Sequence, residues 1–457
     1  MAGEWSTATV SELQRQGVLL VEDGNHGEYR PRSDEFVDTG VAFIRAADMD
    51  AGQVLFDSAS KISDRARQRI TKGIGAPGDV LLSHKGTVGK VALVPQDAPP
   101  FVCSPQTTFW RTLDEARLDR RYLHAFLRSP EFRDQLGTRS GETDMAPYVS
   151  LTSQRGLSVM LPPLPEQRAI AHTLGTLDDK IELNRRMSET LEAMARALFQ
   201  SWFVDFEPVR AKAEGRDTGL AKHLAELFPD RLVESELGEI PEGWETGVLE
   251  QVLAELEVGG RPKGGVAAYA DGVPSIGAES IVGLGVFDYS KTKYVPREFF
   301  DRMTKGHIKD RDVLLYKDGG RPGEFEPHVS LFGNGFPFQT AAINEHVYRL
   351  RAKPQLGQEY LYFWLSSEPI MEEMRVKGTG VAVPGLNSTQ VKSLTTLRPS
   401  TAVIEAFARH AEACVSRVLA ACNESRTLAS LRDALLPKLI SGELRVKDPD
   451  RFLHRVA

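Results

Sequence analysis

Two patterns of apolar and polar positions run along this chain, and each occurs twice. The first is a set of short β-like runs broken by Gly and Pro: Val41–Ile44, Val80–Ser83 and Val88–Val94, then much later Val313–Tyr316 and Glu345–Arg351. A short helix is expected after each set, over Arg121–Leu127 and Glu359–Ser366. The second pattern is a long stretch with few breakers. After Leu161-Pro162-Pro163-Leu164-Pro165, apolar residues fall at Ile170, Leu174, Leu177 and Ile181, then at Met187, Leu191, Met194 and Leu198, with a shift near Asn184. Between Pro399 and Pro437 they fall at Ile404, Phe407, Ala411, Cys414, Val418, Ala421, Leu428 and Leu435. Spacings of four and three predict two helices with coiled-coil seams. At roughly 35 residues and 1.5 Å per residue, each would be on the order of 50 Å long.

The recurrence extends to residues. Gly40-Val41-Ala42-Phe43-Ile44 resembles Gly272-Val273-Pro274-Ser275-Ile276, Arg69-Ile70-Thr71-Lys72-Gly73 resembles Arg302-Met303-Thr304-Lys305-Gly306, and Asp79-Val80-Leu81-Leu82 matches Asp312-Val313-Leu314-Leu315. Leu161-Pro162-Pro163 answers to Leu397-Arg398-Pro399, and Trp5 to Trp244. The common order implies duplication of a whole domain plus its connector. The expected fold is therefore α+β: two similar mixed domains joined by two long antiparallel helices, related by approximate twofold symmetry as homodimers are. The expected segments are a first domain over 1–163, a helix over 164–207, a linker over 208–243, a second domain over 244–400, a helix over 401–442 and a tail over 443–457. Within the linker, a short amphipathic helix is expected over Leu220–Phe228.

Composition narrows the class. The chain has 457 residues, 41% hydrophobic and 26% charged, enough for ordinary cores. No apolar run approaches the ~18 residues of a membrane span. No signal peptide is evident, and Cys103, Cys414 and Cys422 make no disulfide framework, so a cytoplasmic setting is expected. The net charge of −7 argues against a uniformly basic nucleic-acid binder but permits local basic patches. Residues 161–240, with 10 basic and 15 acidic side chains, hold most of the excess acid.

Catalytic motifs are hard to find. The chain has no Gly-x-x-x-x-Gly-Lys-Ser/Thr loop, no Gly-x-Ser-x-Gly, no His-x-x-x-His pair and no motif for an amino-methyltransferase. Gly259-Gly260-Arg261-Pro262-Lys263-Gly264-Gly265 reads as a turn. Asp178-Asp179-Lys180, the nearest approach to a Mg-dependent nuclease element, lies inside a helical seam. Positive charge clusters in both halves: Lys61, Arg65, Arg67, Arg69 and Lys72 in the first, and Lys291, Lys293, Arg297, Arg302, Lys305 and Lys309 in the second. Lys61/Lys293, Arg65/Arg297, Arg69/Arg302 and Lys72/Lys305 align through the repeat, which sets phosphate contact level with a plain solvated helix face. Gly-flanked loops follow, with His84, Lys85, Thr87 and Lys90 in one and Lys317 and Arg321 in the other. They could carry side chains to base edges or be hairpin turns. Trp202, Phe203 and Phe206 end the first helix and are candidates for a core or for a partner interface.

Five segments carry a resemblance to a known family. Leu161-Pro-Pro-Leu-Pro-Glu166-Gln167-Arg168-Ala-Ile170, Leu177-Asp-Asp-Lys-Ile-Glu-Leu-Asn184 and Ser201-Trp202-Phe203-Val204-Asp205-Phe206-Glu207-Pro208 resemble the central conserved region of specificity subunits of type I restriction–modification enzymes. Leu431-Arg-Asp-Ala-Leu435-Leu436-Pro437-Lys438-Leu439-Ile440-Ser441-Gly442-Glu443-Leu444 resembles their distal conserved region, and Asp23-Gly24-Asn25-His26-Gly27 an entry motif of their target-recognition domains. The second copy has Val403-Ile404-Glu405 and lacks the Glu166-Gln167 pair. The resemblance implies a non-catalytic subunit without a cofactor of its own. It would bind double-stranded DNA, two modification (adenine methyltransferase) subunits and, through them, restriction subunits. The methyl donor, ATP and Mg²⁺ would belong to those partners. Each domain would read one half of a bipartite asymmetric target, and the helices would set the gap. The competing classes are a free-standing DNA-binding regulator, a Mg-dependent nuclease and an assembly scaffold.

Overall fold

The computed structural model describes residues 4–24, 29–140, 147–319, 323–379, 384–446 and 448–456. The chain folds into two compact units, one of residues 1–180 and 428–457, the other of residues 181–427. Both junctions fall inside the long helices, Leu164–Phe203 and Thr401–Ile440. Each helix therefore gives one part to each unit rather than standing as a separate segment. Each helix has 40 residues. Pro437 lies within the last turn of the second, where the Ser441 N–H still donates to its carbonyl.

The first unit is built on an antiparallel sheet in which Thr107–Thr112 runs between Leu19–Asp23 and Val80–Ser83. Val91–Leu93 and two short strands extend it. A second sheet pairs Phe101–Cys103 parallel to Val41–Ile44. Trp110, Tyr122, Phe126 and Phe132 are fully buried beneath the main sheet, with edge-on contacts of 5.6 Å between Trp110 and Phe132 and 5.7 Å between Phe126 and Phe132. Burial of each ring stabilises the unit by about 1.5–3 kcal/mol. Ser6–Thr9 pairs with Ser158–Leu161, so the chain leaves the unit beside its entry and passes directly into the helix.

The second unit repeats this plan. Val347–Ala352 runs between Leu253–Val258 and Asp312–Tyr316, Ala342–Ile343 lies parallel to Val273–Ile276, and Glu245–Val248 pairs with Thr395–Arg398. The hairpin Leu232–Ser235/Gly238–Pro241 precedes these strands. The expected linker helix is confined to Lys222–Ala225.

The buried charges repeat as well. In the first unit, Asp79 is fully buried, takes Arg111 through two bonds of 2.7 and 2.8 Å, and accepts the Ala76 N–H at 2.8 Å. In the second, Asp312 is fully buried, takes Arg351 at 2.5 Å and accepts the Lys309 N–H at 2.6 Å. Gly73 and Gly306 adopt φ of 70° and 86°, and their N–H groups donate to Glu22 at 2.9 Å and Glu257 at 2.8 Å. A side chain at either glycine would be strained in this left-handed turn. Two diverged sequences thus keep one set of buried partners. Breaking such a pair costs about 3–5 kcal/mol, because the abandoned charge stays buried.

The helices run antiparallel within each unit. In the first, Ile170 and Leu174 share a core with Leu436, Leu439 and Ile440, while Asp178 is clamped by Arg432 at 2.7 Å and Arg128 at 2.6 Å. In the second, Phe199 and Phe203 meet Phe407 at 5.5 and 5.3 Å, and Asn184 meets the turn Ala421–Ser425. The expected seam changes after Asn184. Met194 is 58% exposed, and Ala195 and Phe199 take the inward places. A straight helix drifts from a strict seven-residue repeat, and Tyr360, Phe363 and Phe407 crowd around Phe199.

Candidate nucleic-acid interface

In both units, the ends of the central strands open onto a cluster of loops. In the first, the strands finish at Asp23 and Ser83, and Thr107 begins the strand between them. His84 follows and is fully buried. Its Nε2 lies 3.1 Å from Asp23 Oδ1 and its Nδ1 3.0 Å from the Val149 carbonyl. Its own N–H donates to Gln106 O at 2.9 Å, and its carbonyl accepts the Val149 N–H at 2.9 Å. His84 pins three segments together and cannot reach a groove, which corrects its expected place among DNA-binding residues. Lys90 is also structural, with its Nζ donating to the Met49 carbonyl at 2.9 Å. Lys85 and Thr87 are exposed, and Lys85 Nζ stands 5.7 Å from the centre of the Tyr148 ring.

The basic runs divide in the same way. Arg69 forms two bonds of 2.6 Å with Glu35, and this guanidinium holds the Glu35 carboxyl down at about 2. Arg69 is thus committed within its own unit. Arg65 and Lys72 are exposed, and Lys61 is half-buried in a strand. In the second unit, Lys293 pairs with Glu279, Arg297 with Asp301 at 3.0 Å and Lys309 with Glu255 at 3.4 Å. Arg302 is exposed and bonds the Glu298 carbonyl at 3.0 Å. Lys72 and Lys305 are exposed and pair with no described residue. Strand register also shifts two of the expected matches. Ile62 pairs with Val41 and Val295 with Val273, so Lys61 answers to Tyr294, and Arg65 to Glu298. Lys72/Lys305 and Arg69/Arg302 hold. Arg321 and the residues Asn25, His26 and Gly27 lie outside the described residues.

A polar network that the sequence did not reveal crosses the strand ends of the second unit. Lys317 Nζ lies 2.5 Å from Asp318 Oδ2, Asp318 Oδ1 is 2.5 Å from His346 Nδ1, and Arg261 Nε is 2.9 Å from Glu345 Oε1. Burial works to raise the Asp318 carboxyl, but the bonds from Lys317 and His346 outweigh it and hold it low. Gln106 in the first unit and His346 in the second went unnoticed because only strand register brings them to the loop cluster.

Trp202, Phe203 and Phe206 are 1%, 1% and 8% exposed. They pack among Phe228, Trp244, Tyr360 and Phe407 at 5.0–6.4 Å. They form the core of their own unit, which corrects the expectation of a partner interface. No helix among the described residues is long and apolar enough to cross a membrane.

Comparison with known proteins bears on this arrangement. A family model described as the type I restriction modification DNA specificity domain matches residues 25–193. The HindI specificity subunit of Haemophilus influenzae is 27% identical, the match covering 88% of this chain and 94% of that one. The chain is thus similar, over most of its length, to specificity subunits of type I restriction enzymes. The MjaIX specificity subunit of Methanocaldococcus jannaschii is 23% identical over 85% of this chain and 82% of its own length. The crystal structure of the type I S subunit from M. genitalium shares the fold, with a TM-score of 0.54 at 13% identity over 95% of this chain and 96% of that one.

Proposed function

We propose that this chain is a specificity subunit of a type I restriction–modification system, each unit of which reads one half of a bipartite, asymmetric double-stranded DNA target, while the helices fix the number of unread base pairs. The chain itself carries out no chemistry. It positions two adenine methyltransferase subunits and, through them, restriction subunits, and those partners supply the methyl donor, ATP and Mg²⁺ reactions. The observation that supports this reading is the repeated strand scaffold, with its matching Asp79–Arg111 and Asp312–Arg351 pairs, which presents unlike side chains at its two loop clusters. A constant frame with variable ends suits two short segments of different sequence, with phosphate contacts for position and base contacts for choice.

The test is co-assembly with methyltransferase subunits followed by mapping of methylated adenines. Exchange of residues 1–160 for those of a relative is expected to change one half of the methylated sequence and to leave the other half intact. A change in both halves would sink modular reading. DNA binding without any methyltransferase association would favour a free-standing regulator instead.

A further inference from the structure

The turn before the middle strand is built alike in both units. In the first, Ser104 N–H donates to Ile44 O at 2.8 Å, Thr107 N–H to Ser104 O at 3.0 Å and Gln106 N–H to Ser104 Oγ at 3.3 Å, while Gln106 O accepts the His84 N–H at 2.9 Å. In the second, Asn344 N–H donates to Ile276 O at 2.9 Å, Val347 N–H to Asn344 O at 3.4 Å and His346 N–H to Asn344 Oδ1 at 2.9 Å, while His346 O accepts the Lys317 N–H at 3.0 Å. Just before the turn, Cys103 N–H bonds Gly73 O at 2.7 Å and Ile343 N–H bonds Gly306 O at 2.9 Å. Gln106 and His346 thus occupy one backbone position twice, with both main-chain groups tied.

Their side chains are not tied in the same way. Gln106 is exposed, and its amide bonds no described residue. The His346 side chain is 46% exposed. Its Nδ1 is taken by Asp318 at 2.5 Å, and its Nε2 lies 3.5 Å from the nearest carboxylate oxygen, on Glu345. That separation is too long for a good hydrogen bond, so Nε2 is oriented but uncommitted. Both groups discriminate between bases: a carboxamide offers a donor and an acceptor side by side, as adenine N6 and N7 require, and a fixed imidazole offers one directed nitrogen. Lys72 and Lys305 adjoin the glycines whose carbonyls hold this turn. An exposed cation therefore adjoins the residue that anchors each turn, a charge suited to phosphate.

We infer that Gln106 and His346 are the paired base-edge-reading positions of the two units. This assignment rests on the proposed reading of a bipartite target. Asp318 serves as a positioning residue that sets the imidazole of His346.

The experiment uses the full chain assembled with methyltransferase subunits, with methylated adenines mapped across a genome. Gln106→Ala is expected to relax one base position in one half of the target, with discrimination there falling about tenfold or more, and His346→Ala to do the same in the other half. Asp318→Asn is expected to relax the same position as His346→Ala by a smaller factor. Gln106→His supplies a variant that keeps a polar group and is expected to change the preferred base rather than lose it. Methylation that falls equally at every site, with a lower melting temperature, would mark a structural role and overturn the inference. A wild-type assembly that yields a bipartite sequence, with variants that keep it unaltered, would overturn this inference alone. A wild-type assembly that yields no bipartite sequence would overturn the proposed function and this inference with it.

Discussion

At the scale of single residues, the basic side chains separate into those committed to the protein and those left for a ligand. Lys72 and Lys305 belong to the second group. Replacing either by Ala is expected to weaken DNA binding at all sequences and to reduce the slope of log affinity against log salt by about one. Titration of binding across salt concentrations checks this, and an unchanged slope would remove the phosphate assignment. Arg69→Ala is expected to act on stability instead. The Arg69 guanidinium and the Arg32 N–H hold the Glu35 carboxyl at about 2, below its ordinary 4.5. The carboxylate form is therefore the one that favours the folded state. Its contribution is complete above pH 4.5 and is lost as pH falls through about 2. The melting-temperature gap between wild type and Arg69→Ala is expected to be widest above pH 4.5 and to shrink toward pH 2. A gap independent of pH in that range would count against the pairing. Arg69 and Lys72 look alike in the sequence, since nothing in a charge run says that Glu35, 34 positions earlier, returns to one of them.

At the scale of elements, the helical seam contains a buried polar residue midway along it. Asn184 is 1% exposed, and its Nδ2 donates to Glu424 Oε2 at 2.9 Å, to Ser425 Oγ at 3.3 Å and to the Ala421 carbonyl at 3.4 Å. A polar group in such a seam sets register at some cost in stability. Asn184→Ala is expected to destabilise the chain by about 1–2 kcal/mol. A double-mutant cycle with Glu424→Ala should give a coupling of about 0.5–1.5 kcal/mol by chemical denaturation. Zero coupling would mean that the contact fixes nothing. The helices themselves were legible, because an apolar spacing of four and three sustained over so many turns matches the helical period and not the alternation of a strand. The inward places after Asn184 were not. Met194 fits the apolar spacing better than Ala195, yet Ala195 is buried, because the aromatic rings around Phe199 come from elements distant in sequence. His84 fails for the same reason: a Gly-flanked polar loop suggests exposure, and only the packing of Asp23 and Val149 around the ring reveals a buried pin.

At the scale of the whole molecule, the duplicated frame was legible from Lys72-Gly73 and Lys305-Gly306 and from the two Asp-Val-Leu-Leu runs. The role of those residues was not: their glycine N–H groups and aspartates face carboxylate and guanidinium partners on other strands. The chain passes between its two units only through the long helices, once at residues 180–181 and once at 427–428. If those helices set the gap between the two read segments, lengthening them must lengthen the gap. An insertion in one helix alone would throw its seam against the wrong partners. Four residues would turn the downstream face, whereas seven preserve a seam of four and three. Seven residues added to both helices near Asn184 extend each by about 10.5 Å. With about 3.4 Å per base pair, the methylated sequence should keep both halves and gain about three unread base pairs. Mapped methylation with the original gap would show that the helices are not the ruler, even if both halves were still read.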